Sequence, residues 1–329
     1  MTGKKTGGIA KLPFGLRMKA WWNGFDTKDL ARVLAERRTE HGVDEPSPSP
    51  AEPDIPERRT DLPWDERRME IAELVWGEGY CGPGGPENVI GMSKLLSLSP
   101  EMSMVVIGAE LGGPARTLAQ NFGVWISGYE GDPERARVGM ALSEKKGMAK
   151  KAPIFHYDYA AARPFERRFD RALSKEALFY VPDPAAILKR VEESLKDDGL
   201  LLITNYVVAD EKAALDREVR QWTHREPARV HMKTPREMTD ILGRCGFGVR
   251  VNEDITDHYQ ALVRHTWARA GEFVQALLDR GPEGRPLIDL LLREAELWTE
   301  RGRLFDSGKL RVWRILAHKK ELGTLMSDW

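Results

Sequence analysis

Val105-Val106-Ile107-Gly108-Ala109-Glu110-Leu111-Gly112-Gly113 decides how the rest of the chain is read. A short apolar run from Met104 to Ile107 leads into the glycines, and Pro114 and Ala115 then open a helical pattern. Strand, tight glycine turn and helix start together form a unit whose backbone can approach a nucleotide-like ligand closely. A corner that needs its glycines for steric reasons alone is the alternative.

Outward from this loop, strand and helix signals alternate. Strands are predicted over 102–107, 124–129, 153–157, 169–173, 199–205 and 248–252, with helical patterns over 115–120, 134–146, 184–195 and 235–245 between them. This alternation predicts an α/β fold: a Rossmann-like, mostly parallel seven-stranded sheet with helices on both faces. Residues 308–317 alternate with period two and read as an antiparallel last strand. Residues 257–303 read as one or two long amphipathic helices, with Leu277, Leu278, Leu287, Leu290, Leu291 and Leu292 as core.

The predicted domain from 61 to 320 includes a helical lid over 61–90, in which 64–76 is helical, and the helical insertion over 257–303. Before it, 46–60 is a proline-rich linker that can form neither helix nor central strand. Residues 1–45 form an aromatic and basic segment with a short helix over 29–38, and 321–329 form a tail.

The chain has 329 residues, 31% of them charged, and a formal net charge of −1. That balance gives no global attraction to nucleic acid or membrane. Two cysteines, Cys81 and Cys245, argue against a disulfide framework, and no apolar stretch approaches a membrane span. The expectation is a soluble cytoplasmic protein with no nucleic-acid partner. Trp21, Trp22 and Phe25, with Arg17 and Lys19, add a membrane-peripheral contact through residues 14–25 as one reading. Packing of that segment on the core or on a partner chain, in a homo- or hetero-oligomer, is the other. His224 and His231 are seven residues apart and could share a helix face, but nothing joins them, and no metal site is predicted.

Glu130 lies 22 residues after Gly108, where an acidic side chain at the end of a second strand holds ribose hydroxyls. Asp158 follows the third strand, and Phe169 to Tyr180 brings polar residues to the carboxyl edge of the sheet. With these residues in place, the chain resembles class I S-adenosylmethionine-dependent methyltransferases. It is most similar to the phosphoethanolamine and glycine/sarcosine N-methyltransferases and the fatty-acid methylases. The stretches that carry the resemblance are 76–85, 105–113, 174–180 and 195–206, and it covers roughly 64–320.

The resemblance implies S-adenosylmethionine as cofactor, held by Gly108, Gly112, Gly113, Glu130 and Asp158. It places Tyr80 in a lid near donor and acceptor, and Glu176 beside a small-molecule or lipid acceptor. Tyr180 stands where several phosphobase methylases carry a histidine partnered with the lid tyrosine.

Two departures concern the amino-acid end of the donor. Val106 stands where the family loop carries Asp or Glu, and Glu110 where it carries glycine. Val106 cannot accept from the donor's ammonium, and Glu110 adds a charge near its carboxylate; both together weaken binding by about 10²–10³. Alternatively, Glu110 replaces the missing carboxylate from a new direction. The sequence therefore predicts a methyltransferase, or else a non-catalytic methyltransferase-like scaffold or partner subunit.

Overall fold

The computed structural model describes residues 62–320. The aromatic segment at 14–25, the helix at 29–38, the proline-rich linker and the tail at 321–329 lie outside them.

The chain enters through two helices, α1 (Glu66–Trp76) and α2 (Gly85–Ser93). Then β1 (Ser103–Ile107), α3 (Gly113–Phe122), β2 (Trp125–Glu130), α4 (Pro133–Lys145), β3 (Ile154–His156) and β4 (Phe169–Lys175) alternate. They are followed by α5 (Pro184–Ser194), β5 (Leu195–Val208), α6 (Glu211–Leu215), α7 (Arg217–Arg225), α8 (Pro235–Arg244) and β6 (Phe247–Asp254). A helical stretch of α9 (Thr256–Trp267), α10 (Ala270–Leu278) and α11 (Arg285–Asp306) precedes β7 (Leu310–Lys319).

The seven strands form one sheet in the order β3-β2-β1-β4-β5-β7-β6. Neighbours from β3 to β5 are parallel, whereas β7 runs antiparallel to both β5 and β6. The predicted sheet and its antiparallel last strand are thus observed. A strand between two helix layers must be apolar on both faces, and β1 shows how. Met104 and Val106 enter one apolar cluster while Val105 and Ile107 enter the other. The first cluster takes residues of α1, α2, α3 and α9 to α11, and the second residues of α5 and α8.

The helical insertion differs from expectation. It contains three helices, broken near Arg269 and at Gly281, where φ is +64°. Leu277, Leu287 and Leu291 are buried, but Leu278 is exposed. His224 ends α7 while His231 lies in the following loop, so the two share no helix face. No helix among the described residues is long and apolar enough to cross a membrane.

Candidate active site

Three carboxyl-terminal strand ends meet at one place: the loop after β1, Glu130 at the end of β2 and Lys175 at the end of β4. Sheet folds of this type bind ligands at that edge, where strand order reverses about β1. A cavity of about 80 Å³ lies there, room for a handful of waters. Its wall includes Gly108, Glu110, Glu130, Glu176 and Tyr180 from the sequence reading, together with Cys81, Arg135, Tyr159, Lys175 and Arg301.

The loop is built by close approach. Gly108 has φ +75°, and a Cβ there would lie 2.4 Å from the Lys175 carbonyl oxygen. Glu110, two residues on, also has a left-handed backbone, with φ +55°. That conformation costs a non-glycine residue about 1–2 kcal/mol. Three bonds offset it: Glu110 N–H donates to Glu130 Oε2 at 2.9 Å, Cys81 N–H donates to Glu110 Oε2 at 2.9 Å, and Lys175 Nζ donates to Glu110 Oε1 at 2.6 Å.

Lys175 carries the centre of the site. Its ammonium also donates to Glu176 Oε2 at 2.6 Å, while Glu176 Oε1 accepts from Thr204 Oγ1 at 2.7 Å. Lys175 is 2% exposed. Burial alone would favour the neutral amine, but Glu110 and Glu176 outweigh it and raise its pKa, so the ammonium is kept. Glu176 has a left-handed backbone as well, with φ +42°. Backbone strain of this kind concentrates at functional sites.

Glu130 is fully enclosed. Its Oε1 accepts from Asp132 N–H at 3.1 Å and pairs with Arg135 at 2.7 Å, so both its oxygens have partners within the chain. Burial raises its pKa against the opposing pull of Arg135. The Gly108 N–H points to Tyr129 O at 3.0 Å and to Tyr159 Oη at 3.0 Å. Trp64 covers this corner, with the guanidinium carbons of Arg68 and Arg135 at 4.0 and 4.7 Å from its ring.

Part of the cavity wall is aromatic, formed by Phe179, Tyr180, Tyr206, Tyr259 and Trp298. Tyr180 donates to Glu226 Oε2 at 2.6 Å, and Arg301 holds Glu226 through three contacts of 2.7–2.9 Å. Burial first, and Glu226 second, push the Tyr180 hydroxyl well above its ordinary pKa.

Four of the residues expected in the site do not line the cavity. Tyr80 hydrogen-bonds Thr117 Oγ1 at 2.7 Å and packs under Gly113, where a Cβ would lie 2.8 Å from its ring. Burial raises its pKa to about 12. Tyr80 and Tyr180 therefore bond different partners. Gly112 and Gly113 open α3 without lining the cavity, and Asp158 is exposed, accepting from Ala160 and Ala161 N–H. Its neighbour Tyr159 turns inward instead. Sequence reading missed Tyr159, Arg135, Lys175, Glu226 and Arg301. Lys175 had one usable signal, a charged residue ending a strand whose inner part is apolar; Glu226 and Arg301 are 75 residues apart and had none.

Residues 93–250 match the family described as a methyltransferase domain. Over that stretch the chain is similar to methyltransferase domains, and its fold is shared with a solved methyltransferase structure. Among individual proteins, it is 26% identical over 198 residues to phosphoethanolamine N-methyltransferase 2 of Caenorhabditis elegans, which covers 59% of this chain and 44% of that protein. It is also 26% identical over 203 residues to phosphoethanolamine N-methyltransferase of Plasmodium falciparum, covering 61% of this chain and 74% of that one. The chain thus spans less than half the length of the nematode relative. Among solved structures, Haemonchus contortus phosphoethanolamine N-methyltransferase 2 in complex with S-adenosyl-L-methionine superposes with a TM-score of 0.64 at 18% identity. That match covers 77% of this chain and 56% of the other, and it supports the fold.

Proposed function

We propose that this protein is an S-adenosylmethionine-dependent methyltransferase for a small polar or lipid acceptor, with Glu110 serving as the carboxylate its loop lacks at Val106. The observation that carries this reading is the Lys175 cluster, in which two carboxylates flank one ammonium at 2.6 Å each. The cluster has one more negative than positive group, and the sulfonium donor has one more positive than negative. Burial makes such charge matching count for more than it would in water. The relatives' names, as phosphoethanolamine N-methyltransferases, support a small polar acceptor.

The donor would supply its sulfonium methyl to the acceptor's nucleophile, the carbon–sulfur bond breaking in line with S-adenosylhomocysteine as the leaving group. The chain's part is to hold the partners in line and keep water out. Gly108, Glu110 and Glu130 would hold the donor, with Gly112 and Gly113 shaping the turn. Glu176 and Tyr180 would orient the acceptor against the aromatic wall. Tyr80 acts as a positioning residue beneath the glycine turn, and Asp158 fixes the loop that presents Tyr159.

A second reading, a non-catalytic scaffold or partner subunit, is favoured by one observation. The Gly108 N–H and both Glu130 oxygens already have partners inside the chain. Calorimetric titration with S-adenosylmethionine separates the two. A dissociation constant below about 1 mM supports the enzyme; no heat at millimolar donor removes that reading. Glu110→Gly adds the sign. A loss of affinity makes Glu110 a working contact, whereas a gain makes it an obstruction.

A further inference from the structure

Resting on that donor-site reading, one feature of the Lys175 cluster reaches further. Its two carboxylates are held by different kinds of partner. Besides Lys175, the Glu176 carboxylate has the Thr204 hydroxyl, within strand β5, at 2.7 Å. Apart from Lys175, the Glu110 carboxylate has one partner, the Cys81 N–H, in a segment rich in glycine at 77, 79, 82 and 84. Gly82 packs over the cluster without a side chain: a Cβ there would sit 3.5 Å from Lys175 Nζ and 3.6 Å from Glu110 Oε1. The Glu110 arm can therefore give way while Glu176 continues to neutralise Lys175.

We infer that the Glu110–Lys175 pair is exchangeable: a ligand's α-ammonium takes Glu110, its α-carboxylate takes Lys175, and Lys175 thereby selects ligands that carry an amino-acid tail. One ion pair becomes two, and no buried charge is left alone at any stage, the condition that makes such exchange tolerable in a buried site. No covalent step is involved. The small cavity beside the cluster fits this account, because space for the tail is created by parting the pair.

The test is calorimetric binding of three probes: S-adenosylhomocysteine, its decarboxylated analogue S-adenosyl-3-thiopropylamine, and 5′-methylthioadenosine, which lacks the tail. The wild-type chain is expected to prefer S-adenosylhomocysteine over the decarboxylated analogue by about 10- to 100-fold, the worth of one charge-assisted hydrogen bond. Lys175→Met is expected to reduce that preference to about threefold or less while leaving 5′-methylthioadenosine within about threefold of wild type. Equal wild-type affinity for the first two probes overturns the inference and leaves the donor site standing, as does an unchanged preference in Lys175→Met. If the wild type binds none of the three, the donor-site reading falls and takes this inference with it. Should Lys175→Met fail to fold by circular dichroism, the wild-type preference alone decides.

Discussion

Glu226→Gln tests whether the buried triad of Tyr180, Glu226 and Arg301 holds the aromatic wall of the cavity together. Glu226 is 0% exposed and Arg301 7%. The substitution keeps the side chain's size but removes the charge that faces the guanidinium at 2.7 Å. Leaving one member of a buried pair uncompensated costs about 3–5 kcal/mol, a large part of the roughly 5–15 kcal/mol that holds a domain folded. At about 2–4 °C per kcal/mol for a domain of this size, the melting temperature should fall by about 6–20 °C. The combined change Glu226→Leu with Arg301→Met removes both charges. It should regain most of the loss, because well-packed apolar replacements of buried pairs are close to neutral. What it cannot regain is the acceptor for the Tyr180 hydroxyl, worth about 1–3 kcal/mol when left unmade. Urea unfolding followed by tryptophan fluorescence, with the slope checked for constancy, reads all three proteins. A Glu226→Gln loss under about 1 kcal/mol, or a double variant no better than the single, refutes the reasoning.

Other predictions concern the sheet and the loop. Asp170 accepts from Ser103 N–H at 2.8 Å and pairs with Lys196 at 2.9 Å; burial raises its pKa, but these partners win and hold it below 3.8. Its stabilisation is complete above that value and is lost as pH falls through the folded pKa, so the gap in melting temperature between wild type and Asp170→Asn should narrow in acid. A gap that stays constant down to pH 2 refutes the pairing. Tyr80→Phe should cost about 0.5–1.5 kcal/mol in urea unfolding. It should leave any neutral-range pH profile of donor binding unmoved, since its hydroxyl, pushed up to about 12, stays protonated there. Val106→Asp buries a carboxylate within an apolar cluster. It should destabilise by several kcal/mol alone, and by at least about 1 kcal/mol less when Glu110→Gly is also present. Strict additivity in that cycle shows that the two positions do not serve one charge.

The sheet was legible because its signals are local. Apolar strands, aspartate caps and glycine turns fall within a few residues of one another, as at Asp132, which accepts from Glu134 and Arg135 N–H at the start of α4. The Gly108 and Glu130 positions were legible for the same reason. The helical insertion was harder: an amphipathic pattern continues through a break, and only the left-handed Gly281 and the cap at Asp279 end α10. Partners across the site were illegible in principle. Lys175 meets Glu110 from 65 residues away, and Arg301 meets Glu226 from 75. Choosing Tyr159 over Asp158 as the inward residue depends on which side of a short strand's exit faces the cleft, and one residue of register reverses it.

The two departures in the glycine loop have different surroundings. Val106 is completely buried within the apolar cluster on one face of the sheet, among residues such as Leu173 and Leu202. An acid there would need a cation close by, and the nearest buried ammonium described at this edge, Lys175, is already bonded to Glu110 and Glu176. Glu110 stands on the turn instead, with a left-handed backbone, and lines the cavity. A degraded site would be expected to lose the acid and relax the turn. This one keeps a strained glutamate at 110, a second at 176 and a buried lysine between them, at a combined backbone cost of about 2–4 kcal/mol. Strain of that size persists where surrounding contacts over-determine it, and here those contacts come from Cys81, Glu130, Lys175 and Thr204.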